Sequence, residues 1–132
     1  LVGFKALLLI CEGHLPVIKT IYVVEDDHNV RITIRAALEN EGYQVLSATN
    51  GKDAISELSI LKEVPNLIMT DLNMPFMNGE EFIAVLKQTP RFAEIPIMVV
   101  SAQKTNVSGI CAFVTKPFNL ENVLTLLQRH CL

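Results

Sequence analysis

The sequence predicts an α/β fold: a doubly wound sheet of five parallel strands with helices on both faces, the helix between the fourth and fifth strands short or absent. Three observations predict it. Short apolar runs of strand length recur along the chain, most clearly Ile21-Tyr22-Val23-Val24 and Ile97-Met98-Val99-Val100. Segments with apolar residues at helical spacing alternate with these runs. The runs are continuously apolar, which is the pattern of parallel strands covered on both faces.

Each element has its own signal. Ile21–Val24 is β-branched and aromatic, as a buried strand requires. Val30, Ile34 and Leu38 recur at i, i+4 and i+8. They form one helical stripe, with Asp27 as its N-cap and Gly42 as its stop. Tyr43–Ala48 is the second strand. Asn50 caps a helix that turns Ala54, Ile55, Leu58 and Leu61 inward. Pro65 breaks the chain before a third strand over Asn66–Thr70. Gly79–Gln88 is a third helix with Phe82, Ile83 and Leu86 inward. Pro90 and Pro96 bracket the turn into the fourth strand, Ile97–Val100, and Ala112–Thr115 is the fifth. Asn119 caps a last helix built on Leu120, Val123, Leu124 and Leu127. The crossover over Gln103–Ile110 contains Asn106, Ser108 and Gly109, poor helix material. It is also shorter than the ~10–12 residues that a crossover with its helix usually takes.

Composition narrows the function. A length of 132 residues fits one domain. Half the residues are hydrophobic and 19% are charged, which excludes a disordered or solvating chain. The net charge is −3 with Lys and Arg scattered, so no basic face is visible for nucleic acid. No apolar stretch reaches the ~20 residues that span a bilayer. Cys11, Cys111 and Cys131 are odd in number and far apart, and His14, His28 and His130 show no ligand spacing. A zinc site and a disulfide framework are therefore not expected, and the chain is placed in a reducing compartment. Residues 1–19 form an extension of unclear role before a domain at 20–132. Lys5 followed by Ala6–Cys11 resembles a stunted signal sequence, but no small-residue cleavage site follows. An added packed element is preferred.

The chemistry gathers at the carboxyl ends of the strands, where ligands of such sheets bind. The first strand ends in Glu25-Asp26-Asp27, the third in Asp71, the fourth in Ser101, and the fifth just before Lys116-Pro117. Crowded carboxylates raise one another's pKa unless a cation joins them. Hard oxygen donors without Cys or His suit Mg²⁺. An ammonium and a hydroxyl beside a metal suit a phosphoryl group. No glycine-rich loop follows the first strand to cradle a nucleotide.

Val-Val-Glu-Asp-Asp at 23–27, Asp-Leu-Asn-Met-Pro-Phe-Met-Asn-Gly at 71–79, Val-Ser-Ala at 100–102 and Thr-Lys-Pro-Phe at 115–118 carry a resemblance. Together, in this order, they resemble the receiver domain of two-component response regulators. The resemblance covers about Thr20 to the C-terminus. It implies a flavodoxin-like layout and the following roles. Asp71 is the phosphoacceptor. Glu25, Asp26 and Asp71 hold Mg²⁺, with the Asn73 backbone carbonyl. Lys116 pairs with the phosphoryl oxygens, Ser101 hydrogen-bonds one of them, and Phe113 sits at the aromatic switch position. The Lys116-Pro117 bond is expected to be cis. Asp27 is expected to cap the helix, and Met69, Met74, Met77 and Met98 to fill the core.

The resemblance, with these observations, implies a cytoplasmic phosphoacceptor domain, free-standing or a fragment of a longer regulator or hybrid kinase, a monomer or weak dimer and not an enzyme in the ordinary sense. It takes a phosphoryl group from a histidine kinase or phosphotransfer protein and signals to a downstream protein, without contacting nucleic acid or inserting in a membrane. A pseudo-receiver, a pure interaction module, would be expected to lose Asp71 or Lys116. A haloacid-dehalogenase-like phosphatase would carry its nucleophile on the first strand. A flavodoxin-like cofactor binder would not need Lys116 among acids.

Overall fold

Strand β1 (Thr20–Val24) lies between β2 and β3 in a five-stranded, all-parallel sheet of order β2-β1-β3-β4-β5. Around it follow α1 (His28–Asn40), β2 (Gln44–Ala48), α2 (Gly51–Ile60), β3 (Leu67–Thr70) and α3 (Gly79–Gln88). Then come β4 (Ile97–Ser101), β5 (Ala112–Thr115) and α4 (Leu120–Leu126), which passes into a π-helical turn over Leu127–Cys131. This computed structural model describes residue 13 and residues 17–132. The expectations for Lys5–Cys11, for Cys11 and for His14 lie outside those residues.

The sheet is covered on both faces because its strands alternate. Tyr22 and Val24 of β1 point to one cluster, with Ala54 and Leu58 of α2 and Phe82, Ile83 and Leu86 of α3. Ile21 and Val23 point to the other, with Ile34 and Leu38 of α1 and Val123 and Leu127 behind β5. Asp27 caps α1 by accepting from the Val30 amide at 3.1 Å, as expected. Gly42, with φ of 94°, takes the left-handed turn that leads into β2. Asn78 and Glu81 close a reciprocal capping box on α3. The Arg91 guanidinium donates to the Leu58 and Leu61 carbonyls, satisfying acceptors at the end of α2. Met69, Met74 and Met98 are buried, and Met77 packs against the first cluster.

The crossover between β4 and β5 contains no helix. Val107 and Ile110 pack on the first core cluster, and the Thr105 hydroxyl donates to Glu80 of α3 at 2.9 Å. The segment therefore lies over the neighbouring helix without forming one of its own.

One expectation is corrected. Cys111 and Cys131 form a disulfide, with Cα atoms 5.4 Å apart. Twenty positions separate them in sequence, so spacing alone gave no signal. The sheet brings the start of β5 against the turn after α4. Closing a loop of that length removes about 3 kcal/mol of unfolded-state entropy. The inference of a reducing compartment, which rested on unpaired cysteines, loses that support.

Candidate functional site

Four of the five strands deliver a functional group to the same edge. Glu25 follows β1, Asp71 follows β3, Ser101 ends β4, and Lys116 follows β5. Glu25, Asp71 and Ser101 are buried, whereas Asp26 is exposed. The Lys116 ammonium lies 2.8 Å from Asp71 Oδ2 and also donates to Glu25 Oε1. The Lys116–Pro117 peptide is cis, as expected. Asp71 Oδ1 accepts from the Leu72 amide at 2.6 Å and from the Asn73 amide at 3.3 Å. Glu25 Oε2 accepts from the Asp27 amide at 3.2 Å.

The backbone around the acids is held from several sides. Arg31 of α1 donates to the Glu25 carbonyl at 2.8 Å, and the Thr70 hydroxyl donates to the Asp71 carbonyl at 2.8 Å. Gly79 presses against the same peptide. A Cβ there would lie 2.2 Å from the Asp71 carbonyl oxygen and 2.5 Å from Leu72 Cα. Only glycine allows α3 to start so close to the acid-bearing turn. The Ser101 hydroxyl accepts from the Gln103 amide at 3.1 Å, so the crossover begins on a bond to this side chain. Phe113, paired in register with Val99, is half-buried against the first core cluster.

Burial and pairing set the charges. Burial pushes Glu25 up to about 7, assisted by the Asp71 charge and opposed by Lys116 and the Asp27 amide. Burial also opposes ionisation of Asp71, but its polar neighbours, Lys116 first among them, outweigh it and hold its pKa below the usual value. Burial opposes the charge on Lys116, and the two carboxylates overcome it, raising its pKa. Asp71 is thus a fixed anion and Lys116 a fixed cation.

Carboxylate oxygens of Glu25, Asp26 and Asp71 lie within 4.8 Å of one another. One ammonium faces three carboxyl groups, and the Asp71 charge adds to the burial that raises Glu25. Such a set of hard donors fits a small divalent cation such as Mg²⁺. The open cleft, about 270 Å³, is lined by these acids, Asn73, Ser101, Gln103 and Lys116. It offers an anionic nucleophile at Asp71 beside a cation and a hydroxyl.

The expected site residues Glu25, Asp26, Asp71, Asn73, Ser101 and Lys116 all border this cleft. Phe113 does not line it and lies on β5. Sequence reasoning missed Arg31, the Gln103 amide and the contact made by Gly79. An arginine one turn into the helix after the acids was the available signal for Arg31. The other two involve backbone atoms and left none.

Residues 21–128 match the family described as Response regulator receiver domain. An uncharacterised 14.6 kDa protein from Leptolyngbya boryana is 34% identical over 119 residues, covering 85% of this chain and 89% of its own length. The sensor histidine kinase CheAY of Helicobacter pylori is 28% identical over 116 residues, covering 83% of this chain but only 14% of that much longer protein. Among solved structures, the chemotaxis response regulator CheY4 of Vibrio cholerae superposes with a TM-score of 0.78 at 26% identity, covering 86% of this chain and 98% of that one.

Proposed function

The chain belongs to the response regulator receiver domain family, and from that premise we propose that it is the phosphoacceptor of a two-component system, with Asp71 as the accepting group. The observation that carries this reading is the Lys116 ammonium shared between Asp71 and Glu25 at the mouth of an acid-lined cleft. As a signalling domain, it uses that cleft to receive a phosphoryl group from a histidine kinase or phosphotransfer protein. The Asp71 carboxylate attacks phosphorus, the phosphorus–nitrogen bond of the donor breaks, and the departing nitrogen takes up a proton. Lys116, already at Asp71, stabilises the charge that spreads over the transferred oxygens. The Ser101 hydroxyl accepts the amide of Gln103 and keeps its proton to donate to a phosphoryl oxygen. Glu25, Asp26 and Asp71, with the Asn73 carbonyl, would hold Mg²⁺, which supplies further charge neutralisation.

In this proposal the domain spans 20–132, and Phe113 on β5 senses movement of the crossover. The downstream partner is a protein. A cytoplasmic location follows from the phosphodonor partner and no longer from the cysteines. A pseudo-receiver that only binds partners is the alternative, and one experiment separates the two. Incubation with acetyl phosphate and Mg²⁺ should add one phosphoryl group by intact mass spectrometry, labile to hydroxylamine. Asp71→Asn should keep the fold and take up none. An unlabelled wild-type chain would favour the interaction module, and full labelling of Asp71→Asn would place the acceptor elsewhere.

A further inference from the structure

We propose that the Cys111–Cys131 disulfide is a redox clamp that fixes the distal end of the helix-free crossover to the turn after α4. Cys111 is the last residue of the crossover, anchored by its amide to the Ile97 carbonyl at 2.8 Å. Cys131 is buried in the second core cluster beside Leu127 and Val123. The two elements joined in this way are a segment without regular structure and a short helix. Residues 102–111 have no helix and are held at α3 by Thr105 and by Val107 and Ile110. Helix α4 has seven residues before its π-helical turn, too few to persist without packing. A covalent bond between two weak elements governs both, while the sheet and α1–α3 hold without it.

The bond is reachable from one side. Cys111 is partly exposed and Cys131 is buried, so a thiolate attacks Cys111 Sγ. The bond to Cys131 breaks, and Cys131 leaves as a thiolate and takes up a proton. A second thiol of the same dithiol reductant then displaces Cys111. The protein gains two electrons and two protons, and the reductant ends as a disulfide. Because the crossover starts at Ser101 and ends at Cys111, reduction frees the far end of the segment whose near end meets the acceptor cleft. Only this last consequence rests on the receiver reading.

The test uses unphosphorylated full-length protein, so it stands or falls apart from phosphotransfer. Under a dithiol/disulfide buffer series, the free-thiol count should rise from one to three per chain in a single two-electron step. Hydrogen exchange should lose protection at 107–111 and 127–132 on reduction, with β1, β3 and α1 unchanged. Cys11→Ser should keep the response, whereas Cys111→Ser and Cys131→Ser should each abolish it and show the reduced pattern throughout. Three reactive thiols under oxidising buffer, equal exchange in both states, or loss of the response in Cys11→Ser would each overturn the clamp.

Discussion

Glu25 is buried next to a second carboxylate, and its two neighbours leave it with opposite demands. Burial and the Asp71 charge raise its pKa from 4.5 to about 7. Between those values the folded protein holds a proton that the unfolded chain has released, so stability falls as pH rises through that window. Asp71 behaves in the opposite sense. Its folded pKa lies below 3.8, so its contribution is complete above that value and is lost on further acidification. Thermal melts of the metal-free protein should therefore show greatest stability between the two windows, near pH 4–5 on this argument. Glu25→Gln should remove the decline toward neutrality. Melts of that variant that still fall between pH 5 and 7 would assign the decline to another group. The same buried charge prepares the cleft for a cation, which is where the sequence pattern of adjacent acids had pointed. The identities of the acids were legible because carboxylates clustered at strand ends have few structural uses. Which of them is buried was not legible, since Glu25 and Asp26 are neighbours in sequence and differ only in the side of the strand end they take.

At the scale of the element, α3 and the turn before it act as one unit. Gly79 starts the helix, its amide donates to the Leu72 carbonyl at 2.8 Å, and its missing Cβ lets the helix lie against the Asp71 peptide. Gly79→Ala forces backbone against backbone, where no flexible side chain can give way. Overpacking of this kind costs about 1–3 kcal/mol. Urea unfolding should show that loss, and phosphoryl uptake should slow because the Asp71 turn is displaced. A variant with wild-type stability and uptake would show that the turn accommodates a methyl group. The boundaries of α3 were readable from sequence, from Gly79 to Gln88, because its apolar stripe and capping residues agree. The second and third strands begin one residue later than expected, at Gln44 and Leu67, since a strand ends where its partner's hydrogen bonds end. The last helix departs further, changing to a π-helical turn at Leu127 where Cys131 is drawn to Cys111.

Across the whole molecule, the acceptor cleft and the crossover are linked through Ser101. Its hydroxyl already accepts the Gln103 amide, and a phosphoryl group on Asp71 gives the same hydroxyl a charged acceptor to donate to. A hydrogen bond to a charged group is worth about 1.5–3 kcal/mol, enough to shift a two-state ratio by one to two orders of magnitude. Hydrogen exchange with and without a phosphoryl mimic should change most over 102–113. Change confined to α4, with that segment untouched, would break the proposed coupling. The sequence by itself determined the layered fold, its strand ends and the acids, hydroxyl and lysine carried there. Those follow from local periodicity and from residue chemistry, which each segment displays on its own. Only the tertiary structure decided that Lys116 bridges Glu25 and Asp71, that Arg31 braces the Glu25 backbone, and that Cys111 meets Cys131. These contacts depend on the order and register of strands distant in sequence, and burial and pairing are properties of neighbours that the chain acquires only on folding.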